Sequence, residues 1–281
     1  MEKSEYLIRL GDLKKVDSIW KKISSERATT YRGLQSGEIA AKALLHCGSI
    51  INLIENKIDN PREIDASLIA SAARNIIDVS RLYFYVSERG LTDDEFNFRI
   101  QLHRLHYKTN IINIFEKLQL PLTRVFSLST KESIIDVIKN NKIYLEASKD
   151  EKNAILSGGK LFLNEKPKEI LKQEIKSGLF KLLSNSVHGF PLGLGSHSLS
   201  RSIVFASQID AIMLMIISVE VAIIYSANII NDYKLLRKQL NRKLSVEEKA
   251  FLKELSKPDY LHCYLAERRD FFGCHLFDDW L

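Results

Sequence analysis

Apolar positions recur along this chain with helical spacing. Leu7, Leu10, Leu13, Val16, Ile19, Trp20 and Ile23 predict a helix over residues 3–23. Ala41, Leu44, Leu45, Ile51 and Ile54 predict a second over 38–58, broken by Asn60-Pro61. A third, 64–87, ends at Gly90 in the manner of a C-cap. Thr92 and Glu95 form a capping box for a fourth helix that reaches about residue 118 and stops before Pro121. Short helices are expected over 130–140 and from a second capping box, Ser148 with Glu151, to Gly158-Gly159. Residues 168–187 and 246–255 complete the set, with a Gly/Pro-rich break at 189–195. Residues 142–145 and 161–163 admit short strands, but no period-2 pattern extends beyond a few residues.

One stretch organises the rest. Residues 201–238 contain no Gly or Pro and carry apolar side chains on every face. Such a helix is a membrane span or the centre of a soluble bundle. Asp210 and Glu220 leave nine uncharged residues between them. Each carboxylate at mid-bilayer costs roughly 2.5–3.5 kcal/mol. The expectation is therefore an all-α fold, a helical bundle around one long buried central helix, with no membrane partner. Buried carboxylates need partners. Arginines of the third or fourth helix, Arg74 and Arg81 foremost, are expected to pair with Asp210 and Glu220. A single helical domain over 1–281 is expected, with 121–167 as the stretch that reads as a smaller insertion.

Composition narrows the classes. Hydrophobic residues make up 45% of the chain, and 5 Pro and 12 Gly exclude low-complexity or collagen-like sequence. The net charge of +6 permits an anionic partner. Three scattered cysteines imply no disulfide framework, and no apolar segment follows the charged N-terminus as in a secretory signal, so a cytoplasmic location is expected.

Three constellations carry candidate chemistry. On the fourth helix Glu95, Arg99, His103, His106 and Asn110 are spaced by four, four, three and four, so they share a face. Such a line suits holding a phosphate through Arg99 and moving a proton through a histidine. It equally suits a solvated face with a Glu95–Arg99 ion pair. On the third helix Arg74, Asp78, Arg81 and Tyr85 share a face among apolar residues, either as a structural ion-pair network or as a polar cleft. Ser184, Asn185 and His188 end a helix before Gly189 and Pro191; His188 there is either a dipole-assisted cation or a backbone-bonded cap. Lys234, Arg237, Lys238, Arg242 and Lys243 form a basic run with no acid between Tyr233 and Val246, suited to a nucleic-acid backbone or simply a solvated helix end. Metal and cofactor signatures fail: His262-Cys263 and Cys274-His275 lack zinc-type spacing, and no Walker motif is present.

Two resemblances attach to these residues. Ala73-Arg74-Asn75 with Leu82-Tyr83, Glu95-Phe96 with Arg99 and Leu105-His106, and Leu183-Ser184-Asn185 with His188-Gly189 resemble uncharacterised all-helical bacterial domains of unknown function, over roughly residues 65–230. That resemblance implies a fold and no activity. The Arg99-x₆-His106 pair more loosely resembles the Arg/His site of HEPN-type ribonucleases, although the position after the arginine, commonly polar there, is Ile100. It implies a metal-independent RNA-cleaving protein of the toxin or phage-defence kind. In that reading His106 is the acid/base and Arg99 the phosphate holder, with His103 and His188 nearby. Arg74, Arg81, Asn185, Lys234, Arg237 and Lys238 are then candidate binding residues, RNA is the partner, and a homodimer is permitted. The competing expectation is a non-catalytic interaction or ligand-sensing protein whose polar cluster is structural.

Overall fold

The computed structural model describes residues 3–25, 30–57, 64–121, 130–165, 168–187, 208–257 and 261, and for 3–6, 187 and 208–213 the backbone alone. Among these residues the protein is all-α, with no strand. The helices are α1 (Lys3–Ser24), α2 (Tyr31–Glu55), α3 (Ala66–Ser87), α4 (Asp93–Lys117), α5 (Lys131–Lys139), α6 (Lys142–Glu146), α7 (Lys149–Leu156), α8 (Gln173–Val187), α9 (Gln208–Leu236), α10 (Lys238–Asn241) and α11 (Val246–Leu255). The chain divides into two compact units, one made of 1–83 and 168–281, the other of 84–167. The second unit begins well before the insertion expected at 121–167, because it includes α4.

In the first unit α1, α2 and α9 pack on one another, and α9 also carries α10 and α11. Every residue from Leu214 to Ile230 is buried, as expected of a central helix. By length and composition α2 and the 214–236 stretch of α9 are each apolar enough to cross a membrane, but 94% of the α9 window lies inside the protein, against 39% for α2. Glu220 is 0% exposed, and its carboxylate lies 3.4 Å from Nε of Arg9, itself 8% exposed. Arg9 also donates to Asp12 at 3.3 Å. The carboxylate is thus buried and paired as expected, but its arginine comes from α1. Arg74 instead lies 4.0 Å from Asp78 and over the Phe180 ring at 5.1 Å. The correction follows from packing: α1, which the sequence reading did not consider as a partner, is the helix that runs against α9. The Asp210 side chain lies outside the described residues.

Other polar groups of α9 fix its contacts. Cys47 Sγ of α2 lies 3.0 Å from Ser226 Oγ, and burial pushes the thiol up to about 12, so it is an inert core group. Tyr83 donates to Asp232 at 3.1 Å. Asn228 and Asn231 donate to the carbonyls of Ser256 and Leu252 at 3.0 and 2.8 Å, tying α9 to the C-terminal end of α11, where the Leu252 carbonyl also accepts from Ser256 N at 3.1 Å. Tyr233 stacks at a tilt on Trp20, with centroids 5.4 Å apart, and accepts from Arg237 at 2.9 Å.

Two elements differ from expectation. α2 starts seven residues earlier than predicted, with Thr30 as N-cap accepting from Gly33 N. Within this added stretch a Cβ on Gly37 would meet Tyr233 Oη at 2.7 Å, so glycine here admits the α9 side chain. Residues 142–146 form a helix, N-capped by Asn141, where a strand was admitted, and 161–163 form no regular element.

Because a buried carboxylate stripped of its partner is costly, Arg9→Ala should lower unfolding free energy by about 3–5 kcal/mol in urea titrations. The paired change Arg9→Met with Glu220→Leu should restore most of it. A loss under about 0.5 kcal/mol in the single variant would mean that Glu220 does not depend on Arg9.

Candidate functional site

The polar line of α4 lies in the second unit. Its apolar neighbours Phe98, Leu102 and Leu105 pack with Ile134, Ile138, Ile155 and Leu163 into a core. That packing fixes the rotation of α4 and hence where each polar side chain goes. Thr92 and Glu95 form the predicted capping box, with Glu95 accepting from Thr92 N at 2.7 Å.

With Glu95 turned back to Thr92, Arg99 finds its acid elsewhere. It donates to the carboxylate of Glu88 at 2.6 Å and to the carbonyl of Tyr85, and its guanidinium lies 4.2 Å from the Tyr85 ring centroid. Tyr85 is buried; its hydroxyl donates to Leu163 O at 3.1 Å and accepts from Leu163 N at 3.0 Å, and its ring meets Phe162 edge-on. Burial pushes the phenol up. The group is an arginine-centred clamp that ties the turn after α3 and the 162–163 segment to α4. Neither Glu88 nor Leu163 carries a local sequence signal; of the residues around Arg99 only Tyr85 stood out beforehand, grouped with Arg74, Asp78 and Arg81 of its own helix and not with Arg99.

His106 is held two turns further on. Its Nδ1 lies 2.9 Å from the carbonyl of Gly158, which can only accept, so Nδ1 carries the proton. Nε2 then accepts from Asn110 Nδ2 at 2.9 Å. Both ring nitrogens are engaged. Gly158 has φ +73, and a Cβ there would collide with Thr109, lying 2.8 Å from its Cβ and closer still to Oγ1. Glycine is thus needed both for the backbone turn and for the approach that brings its carbonyl to His106. His103 is partly buried; its Nδ1 is buried without a hydrogen-bond partner, and burial, then His106 and Arg104, hold its pKa below the ordinary histidine value. Arg99 and His106 bond to different partners and converge on no common point.

The first unit holds the other candidates. Arg74 faces Phe180 and Asp78, whose carboxyl is pushed up by burial and pulled down by Arg74 and Arg81. Arg81 and Asn185 are exposed. His188 lies outside the described residues, as do His262, Cys263, Cys274 and His275. Arg237 is bonded to Tyr233, Lys238 is exposed, and Lys234 is buried. Among the described residues no group of three or more metal-ligating side chains occurs. Compared with known proteins, the chain matches no family model, no curated protein and no solved structure.

Gly158→Ala should cost about 2–4 kcal/mol, from the left-handed backbone and the Thr109 overlap together, as read by chemical denaturation. A neutral result would dissolve the glycine argument. His103 adds a pH signature. Folded, it binds a proton less tightly than in the unfolded chain, where histidine titrates near about 6.5. Its contribution is therefore intact above that pH and is lost as pH falls below it. His103→Gln should flatten the stability profile on the acid side, and unchanged profiles would contradict the burial assigned to its ring.

Proposed function

We propose that this protein is a non-catalytic helical binding protein in which the polar line of α4 is structural, tying the turn after α3 and the 158–163 segment to α4. The observation that carries this reading is that the two side chains phosphoryl chemistry would recruit are each bonded to a separate set of partners within the second unit. Arg99 is committed to Glu88, the Tyr85 carbonyl and the Tyr85 ring. His106 uses one nitrogen on Gly158 and the other on Asn110. A general base must reach the proton it abstracts, and a phosphate-holding arginine must turn its fork to the ligand. A HEPN-like ribonuclease would need His106 to give up at least one of its two bonds, and Arg99 to meet a phosphate with the nitrogens that Glu88 and the Tyr85 carbonyl do not use. A cytoplasmic location remains part of the proposal.

The test is incubation of purified protein with single-stranded and structured RNA, with and without EDTA, followed by gel analysis. No cleavage is the expected result, and Arg99→Met should reduce stability without any catalytic readout to lose. RNA cleavage by the wild-type chain that drops by about 10²–10⁴-fold in His106→Ala, the usual worth of one acid–base group, would overturn the proposal in favour of the ribonuclease.

A further inference from the structure

At the corner where α9 turns through α10 into α11, Lys234, Lys238, Arg242 and Lys249 meet no acid among the described residues. α9 and α11 run antiparallel, as the Asn231–Leu252 and Asn228–Ser256 bonds establish. Continuing that register one turn along each helix sets Lys234 opposite Lys249. The two are close enough for Lys249 to disfavour the charge on Lys234, though burial is the larger cause. Lys234 is 8% exposed and, among the described residues, has no hydrogen-bond or ion-pair partner. Lys249 on α11, Lys238 on α10 and Arg242 just beyond it likewise have no side-chain partner there, and the latter two are exposed.

The nearby carboxylates are already committed. Asp232 accepts from Tyr83, Glu248 takes both of its oxygens to Lys22 at 3.0 and 2.9 Å, Glu247 bonds to Ser245, and Glu254 accepts from Lys257 at 2.5 Å. The stem of Lys234 is buried while its ammonium reaches the surface beside a second lysine, and two like charges held together without a counter-charge disfavour each other. Such an arrangement is stabilised by an anion from outside the chain.

We propose that the α9–α10–α11 corner binds the phosphodiester backbone of a nucleic-acid strand, one phosphate seated between Lys234 and Lys249 and its neighbours on Lys238 and Arg242. Leu235 and Val246, the exposed large apolar residues of this corner, are too few for a membrane-inserting face. The cations are mostly lysines, which serve as point charges and suit sequence-independent backbone contact. This inference names the partner class for the binding reading above and rests on it; cleavage on a gel and binding in solution fail separately.

The experiment is fluorescence anisotropy of a labelled single-stranded RNA oligonucleotide with the full chain, across salt concentrations. Wild type should bind with a dissociation constant of about 10⁻⁴–10⁻⁶ M near physiological salt, tightening as salt falls. Lys238→Gln with Arg242→Gln, both on the surface, should reduce the steepness of log K against log salt by about 1.4, at about 0.7 per phosphate contact on a single strand. Lys234→Gln with Lys249→Gln should do the same, with folding checked by circular dichroism. A control removing the exposed Lys142 and Lys149 of α6 and α7 should leave the slope unchanged. Absence of RNA binding at low salt, an equal loss in the control, or wild-type slopes in both corner variants would overturn the proposal. Sedimentation with anionic vesicles in the absence of RNA binding would overturn it too, and assign the corner to a membrane surface.

Discussion

A helix that is apolar on every side has no preferred face, and the first unit is built around one. Hydrophobic burial drives α9 into the interior but says little about its rotation or its register. Those are set by a small number of polar side chains, of which Glu220 is the most demanding. A carboxylate with no exposure needs positive or hydrogen-bonding neighbours, and Arg9 is one that this arrangement brings to it. Once that contact is made, Ser226 falls opposite Cys47, Tyr233 reaches the gap left by Gly37, and Asn228 and Asn231 meet the C-terminal end of α11. Each of these is weak beside the burial energy of the helix, but each is directional. The polar residues supply the uniqueness that the apolar ones cannot.

The second unit applies the same logic to a helix of opposite character. α4 carries many polar residues, and its apolar residues Phe98, Leu102 and Leu105 pack into the core of the unit, while Phe96 and Ile100 are buried on another face. The polar residues then organise the chain around it. Arg99 gathers the turn that precedes the helix, and His106 gathers the turn that follows α7, at Gly158. Two histidine nitrogens and one guanidinium thereby do in side chains what a longer set of helices would do by packing.

Much of the fold was legible because it is local. The capping boxes at Thr92 and Ser148 lie in four-residue windows, and Gly90 closes α3 at φ +84, as its position suggested. The buried central helix followed from the absence of any polar face. What escaped has identifiable causes. Gly37 carries the same letter as a helix breaker, and its reason is Tyr233, a residue far along the chain. The i,i+4 pair of Glu95 with Arg99 competed with the capping box for one carboxylate, and the box prevailed because it joins neighbours in sequence at little entropic cost. The partners of His106 include a backbone carbonyl, which no sequence pattern marks. Whether Arg99 and His106 converge was therefore beyond a spacing argument, since two residues on one helical stripe still reach for different neighbours.

The division of the chain has a consequence for how the protein comes off the ribosome. Residues 84–167 form one compact unit, whereas the first unit joins 1–83 to 168–281. Cys47 and Ser226, or Lys22 and Glu248, meet across 179 and 226 residues. At about 5–20 residues per second, α1 and α2 wait roughly ten to thirty seconds for α9 to be made. During that interval the inner unit can close on its local contacts, while the apolar faces of the N-terminal helices stay uncovered. The nascent chain is thus most exposed to aggregation before α9 emerges, and chaperone demand should concentrate on its first eighty residues.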